Sequence, residues 1–393
     1  MAILPNAQRI FFRENTMPTF SQRTCWPLSD NAFTEAVAHA RPSLDLTVSN
    51  PTRCGLRYAP GTFDPFDTSL LAVYDPAPRG MASAREAVAA YYAEHGAAVD
   101  AEHLCLTTAT SDAYSYLFRL LCDPGDEVIV LKPGYPLLDY LADVEDVVLR
   151  EVPMYYAERW FLDLAELECA IGPRTRAIAV VHPNNPTGSA FTPQEQQALR
   201  EFCVRHGLAL IADEVFLDFT LESPAETFAG SDSGALVFTL SGISKICGLP
   251  QMKCSWIVVD GPQPQRAEAL ARLEVIADTF LAVSTPAQLG LPRWLEGRRV
   301  FQQDVLERMR ANVALLRERS GVFHGTLLHL DGGWSALLRV PSHVGGRAFA
   351  EAALERGVHL HPGEWYGLRE GRVVVSLLTP VEVLAQAMEA LAQ

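Results

Sequence analysis

Between Leu44 and Val259 the chain alternates short apolar runs with longer amphipathic stretches. The runs at 103–108 (HLCLTT), 126–131 (DEVIVL), 177–182 (AIAVVH), 208–213 (LALIAD), 236–240 (LVFTL) and 254–259 (CSWIVV) predict strands. Continuous apolar runs of this length suit strands covered on both faces. Between them, 111–122 opens at Ser111-Asp112, and 193–206 opens with Thr192-Pro193 followed by Glu195. Both openings carry helix-start chemistry. Strands alternating with helices predict an α/β fold built on a mostly parallel sheet, in which a ligand binds beyond the carboxyl ends of the strands. After Thr285-Pro286 the pattern changes to long helices over 287–319, then to a smaller αβ unit ending in a helix at 380–392. The expected organisation is an N-terminal arm (1–47) that packs with the small domain, a large domain (48–285) and a small C-terminal αβ domain (286–393).

Composition narrows the classes. A chain of 393 residues that is 49% hydrophobic can bury a large core. The formal net charge of −15 argues against nucleic acid or an anionic membrane surface as partner. The eight cysteines form no CxxC pair and no Cys/His cluster, a pattern of reduced thiols rather than of a disulfide framework or metal site. The opening MAILPNAQRIFFREN lacks an apolar signal core, and no apolar stretch approaches the roughly 20 residues needed to span a bilayer. These features lead to the expectation of a cytoplasmic protein.

Four loops follow strand candidates, so the open-sheet rule gathers them on one edge. VHPNNPTG (181–188) presents Asn184 and Asn185 from a loop fixed by Pro183, Pro186 and Gly188. In IADEVFLDF (211–219), Asp213 ends an apolar strand, where an ionised carboxylate is costly without a positive partner; a helix cap or surface carboxylate is the plainer reading. In LSGISKICGLPQMK (240–253), Lys245 lies between two apolar strands. Shielding there lowers an ammonium pKa and frees a nucleophilic amine, although most loop lysines are simply solvated. LTTATSDAYSYLF (106–118) runs from a strand into a helix with a small, hydroxyl-bearing start, which offers backbone N–H groups to a phosphate or is an ordinary N-cap.

In this order and spacing the four loops resemble the class I/II aminotransferases of fold type I, over nearly the whole chain from Leu46 onward. The motif around the family's Schiff-base lysine is matched throughout Gly242-Ile243-Ser244-Lys245-Ile246-Cys247-Gly248-Leu249. The resemblance implies that the large domain binds pyridoxal 5′-phosphate (PLP), held as a Schiff base on Lys245, which also shuttles the substrate proton. Asp213 would pair with the pyridinium nitrogen and Asn185 would donate to the ring's 3′-oxygen. Tyr135, in PGYP, would stack on the ring. Ala109, Thr110, Ser111 and Ser244 would bind the phosphate with Lys253, and Tyr74 would reach the phosphate of a neighbouring subunit, implying a homodimer with shared sites. The implied reaction moves an amino group between an L-amino acid and a 2-oxo acid.

Three positions depart from the family pattern. Phe216 stands where a tyrosine usually donates to the 3′-oxygen, and Lys253 replaces a phosphate-clamping arginine, giving a point charge instead of a fork. Val374, in GRVVVSLL, replaces the arginine that takes the substrate α-carboxylate. Strand alternation puts Arg372 on the same face about 7 Å away, so Arg372, Arg53 or Arg57 is the expected substitute, with Asn50 lining the same region. Trp26, Phe63, Phe66, Trp365 and Tyr366 are loop aromatics that could form an apolar substrate pocket, although such residues more often cover core, and His361-Pro362-Gly363 matches a family turn. Two other functions fit the fold: a PLP lyase eliminating a β-substituent such as a thiol, and the ligand-sensing domain of a transcription regulator. The latter is disfavoured because only 45 mostly non-basic residues precede Leu46.

Overall fold

The structure, a computed structural model, describes residues 20–393 apart from 67, 75, 232, 320, 322–324, 342, 369, 370 and 393. Residues 1–19 of the predicted arm thus lie outside the described residues. Every predicted strand forms, and the six are joined in one sheet by two more, Val148–Ala157 and Arg159–Leu162. Across the sheet the order is Leu104–Thr107, Ser255–Asp260, Val237–Gly242, Ala209–Asp213, Thr175–Val181, Glu127–Lys132, Val148–Ala157, Arg159–Leu162. The run from Val237–Gly242 through to Val148–Ala157 is parallel throughout; the remaining pairings, at the two edges, are antiparallel.

The apolar runs are continuous because helices cover both faces. Thr110–Leu121 and Gln263–Phe280 close one face through Leu117, Phe118 and Leu273, and Pro193–His206 helps to close the other through Leu199 and Phe202. Pro193–His206 begins with the predicted capping box between Thr192 and Glu195 and ends at Gly207, whose φ of 64° allows the left-handed exit. Burying both faces leaves the strand ends as the part of the sheet open to a ligand.

The C-terminal third forms a four-stranded antiparallel sheet in the order Thr326–Leu327, Ser335–Arg339, Arg372–Ser376, His361–Pro362. Helices Gly346–Glu355 and Val381–Leu391 pack on its core. The arm joins this unit: Leu44–Asp45 pairs in parallel with Val358–His359. The 35-residue helix Thr285–Arg319 starts one residue before the expected boundary. Its first turns pack Leu291 and Trp294 on a core shared with the large sheet, and its later turns pack Val305, Met309 and Val313 into the smaller unit. No helix among the described residues is long and apolar enough to cross a membrane.

Candidate active site

The loops after Leu104–Thr107, Thr175–Val181, Ala209–Asp213 and Val237–Gly242 converge on one cavity of about 290 Å³, which Thr110, Asn185, Asp213, Ser244 and Lys245 line together. The small unit and the arm complete its wall with Trp334, Ser335, His361, Tyr366, Val374 and Leu46. A contiguous hollow of about 90 Å³ extends over Thr110, Ser111, Tyr114 and Asn184.

Asp213 ends its strand and is buried. Its carboxylate accepts a hydrogen bond from the Val215 N–H at 3.2 Å. Burial pushes its pKa up to about 6, against the hydrogen bonds from Val215 and the Tyr114 hydroxyl and against the charge of Lys245. Lys245 is perturbed reciprocally: burial lowers its ammonium pKa, and Asp213 holds it back. Its Nζ lies 5.2 Å from the centroid of the Trp334 ring, a cation–π contact. A carboxylate and an amine on one buried wall, each with a shifted pKa, are a marker of a working site.

Local structure explains how Lys245 is presented. Gly242 ends the strand and opens a single helical turn, Ile243–Ile246. A Cβ on Gly242 would lie 2.1 Å from the Ser255 Oγ of the adjacent strand, so only glycine lets the two backbones approach this closely. Gly242→Ala is expected to destabilise the fold by about 1–3 kcal/mol through overpacking, read as a lower denaturation midpoint. An unchanged midpoint would show that the Ser255 contact relaxes freely.

Asn185 accepts a hydrogen bond from the Ser335 hydroxyl at 3.3 Å through its Oδ1, leaving its amide hydrogens to the cavity. Asn184 turns inward instead: its Oδ1 accepts from the Thr187 hydroxyl at 2.9 Å and its Nδ2 donates to the Pro133 carbonyl. Ala109 is the N-cap of Thr110–Leu121, and no side chain caps that helix. Its first N–H groups therefore stay available beside the Thr110 and Ser111 hydroxyls, an anion-binding arrangement. Tyr135, at 52% exposure, stands at the mouth of the cavity.

Other sequence candidates are not brought to the cavity wall. Asn50 caps the turn Pro51–Arg53, its Oδ1 accepting from the Thr52 N–H at 3.1 Å. Arg53 is exposed, and Arg57 is bound to Asp304. Arg372 shares a strand with Val374, but its guanidinium lies 5.9 Å from the centroid of Trp160, outside the cavity. Lys253 is exposed and Tyr74 is 78% exposed. Trp334 was not foreseen. It packs against Phe216 at 5.5 Å between centroids, so the phenyl ring at 216 is part of an aromatic wall. Ser376 fastens the arm there: its N–H donates to the Leu46 carbonyl at 2.7 Å and its hydroxyl to the Val48 carbonyl.

The donor set fits PLP: an amine for its aldehyde carbon, a buried carboxylate for its ring nitrogen, an amide for its ring oxygen, and an uncapped helix start with two hydroxyls for its phosphate. Among the described residues no group of three or more His, Cys, Asp and Glu side chains is placed to hold a metal ion. Fold and site together define a lysine-centred, fold type I site on a mostly parallel sheet. The model of the family "Aminotransferase class I and II" matches residues 68–391, and the chain belongs to that family.

Among its relatives, glutamate-pyruvate aminotransferase AlaA of Escherichia coli is 29% identical over 265 residues, which are 65% of this chain and 64% of that protein. The chain thus spans just under two thirds of that relative's length. Arginine–pyruvate transaminase AruH of Pseudomonas aeruginosa is 28% identical over 80% of both chains. A solved aspartate aminotransferase of Thermus thermophilus, a single mutant, superposes with a TM-score of 0.82 at 27% identity over 96% of this chain and 99% of that one.

Proposed function

We propose that the protein is a PLP-dependent aminotransferase that moves an amino group between an L-amino acid and a 2-oxo acid, working as a cytoplasmic homodimer with an arm (1–47), a large PLP-binding domain (48–285) and a small domain (286–393). The observation that carries this reading is the pairing of Lys245 and Asp213 on one buried wall, each altering the other's ionisation. When bound, PLP supplies an aldehyde that condenses with amines and a ring that draws electrons from the bond being broken. Lys245 would hold the cofactor through its amine, whose charged form burial disfavours, and would take the proton from the substrate's α-carbon. Asp213 holds a proton at the ring nitrogen. Asn185 donates to the ring oxygen, and Tyr135 covers the ring. Ala109, Thr110, Ser111 and Ser244 would hold the phosphate, and the small unit's wall would keep water out.

The homodimer is supported by the surface. Leu70, Leu71, Val73 and Tyr74 are exposed close together in sequence, and Tyr74 and Leu281 line one hollow. Such an apolar patch suits a second copy of the chain, whose Tyr74 would then complete the neighbouring site.

The test is a half-reaction. PLP-loaded protein is given single L-amino acids without a 2-oxo acid, and its visible absorbance band and the products are followed. Stoichiometric loss of the band, with one 2-oxo acid per site, is the expected result. Pyruvate is the acceptor to try first for the return reaction, because two of the relatives carry it in their names. A persistent band with continuous release of ammonia and pyruvate would replace this reading with β-elimination.

A further inference from the structure

We infer that His361 receives the substrate's carboxylate, taking up a proton as the substrate binds. The inference rests on the aminotransferase reading and deepens it by assigning the carboxylate contact that Val374 cannot make. Among the described residues that line the cavity, the only Asp, Glu, Lys or Arg side chains are those of Lys245 and Asp213, and both serve the cofactor. Val374 contributes an isopropyl group, 3% exposed, where the sequence resemblance implies an arginine. Its cross-strand neighbour is His361, and the imidazole there is the remaining group on this wall that can become a cation.

The surroundings of His361 suit a proton that arrives with an anion. Its Nδ1 lies 3.0 Å from the Tyr366 hydroxyl. Burial, then the charge of Tyr135, pushes Tyr366 up to about 12, so that hydroxyl stays protonated. With the ring neutral the hydroxyl either donates to Nδ1 or accepts from Nδ1–H according to the tautomer, and it accepts from Nδ1–H once the ring is charged. Nε2 makes no hydrogen bond among the described residues, and the ring lines the cavity. The other groups around the ring are Trp365, at 5.1 Å between centroids, and His359, at 5.8 Å. His359 is itself held 3.3 Å from the Asp45 carboxylate of the arm. Lys245 and Asp213 line the same cavity. Burial, aided by His359 and opposed by Asp45, lowers His361 to about 4. The ring is therefore neutral in the empty site at neutral pH. An entering carboxylate provides the counter-charge whose absence makes the imidazolium costly.

The test uses the PLP-loaded enzyme, an unreactive carboxylate (3-phenylpropionate) and its neutral amide (3-phenylpropionamide). Binding is followed by calorimetry near pH 6, in two buffers of different ionisation enthalpy. That pH lies above the empty-site value of about 4 for His361 and within reach of the rise of roughly one to three units that an opposite charge brings. The wild type is expected to take up close to one proton per carboxylate bound, with affinity falling by up to about tenfold per pH unit. His361→Asn is expected to bind the carboxylate about 10- to 100-fold more weakly, with no proton uptake and unchanged affinity for the amide. His361→Gln, which keeps a neutral donor near Nε2, should recover part of the affinity without the uptake. Proton uptake that persists in His361→Asn, or equal losses for carboxylate and amide, would overturn the assignment. The two readings also fail differently. If no visible band forms with PLP, the aminotransferase reading falls and takes this one with it. A normal band with unchanged carboxylate binding in His361→Asn removes this one alone.

Discussion

Lys245→Ala is expected to leave a folded protein that still takes up PLP, yet converts L-amino acids at least about 10³-fold more slowly. Two functions are lost together. The amine that attaches the cofactor is gone, and so is the base that moves the α-proton, a role that alone contributes about 10²- to 10⁴-fold. The fold should survive, because burial already disfavours the ammonium, and the lysine's aromatic contact is with Trp334 at the cavity wall. Asp213 should respond as well. Losing the neighbouring positive charge removes one of the effects that restrain its pKa, so its carboxyl should titrate above the wild-type value of about 6. Borohydride reduction gives a readout independent of turnover. Wild-type protein should fix the cofactor on the peptide containing Lys245, and the variant should release it on denaturation. Cofactor fixed to another lysine, or turnover close to wild type, would remove Lys245 from the centre of the site.

The strands that form the site were legible because both faces of each are buried, which turns their sequences into unbroken apolar runs. The last two strands of the sheet were not. In Val148–Ala157 exposed and buried positions mix, and its partner Arg159–Leu162 keeps only Trp160 fully buried, so neither produces an apolar run. The site divides along the same line. Lys245, Asp213 and Asn185 lie in loops whose short-range sequence fixes their place at the strand ends. The wall contributed by the small unit depends on packing between distant segments. Trp334 follows Gly332-Gly333, and a Cβ on Gly332 would lie 2.3 Å from the Phe219 carbonyl. That pair of glycines was the local sign of a close approach, but nothing near it in sequence says which wall the indole joins. Arg372 shows the limit of strand alternation. The two-residue period puts it on the same face as Val374, but it lies one step further along, where its guanidinium meets Trp160. His361 was visible only as part of a turn, and what distinguishes it, its pairing with Val374 and the hydroxyl of Tyr366, is tertiary.

Asp213→Asn should separate stability from function in opposite directions. In the cofactor-free protein the Asp213 carboxyl has a pKa of about 6, against a reference value of 3.8. A carboxyl whose folded pKa is raised stabilises the fold fully below the unfolded value, and that contribution is lost as pH rises through the folded value. Wild type should therefore lose stability between pH 3.8 and about 6, by up to about 3 kcal/mol for a shift of roughly two units. Asparagine has nearly the same shape and can still accept from the Val215 N–H, but it cannot ionise. The variant should lack this decline, so well above pH 6 the cofactor-free variant is expected to be the more stable protein in urea unfolding. The same substitution removes the charge that keeps a proton on the cofactor's ring nitrogen, and the half-reaction should slow on the order of 10³-fold, the scale of losing one preorganised electrostatic contact. A variant that matches wild type in urea midpoint at every pH would mean that water reaches the carboxylate and the burial is not felt. A variant that keeps its half-reaction rate would mean that Asp213 does not act on the ring nitrogen. Together the two measurements ask whether the buried charge is maintained against the stability of the fold because the chemistry requires it.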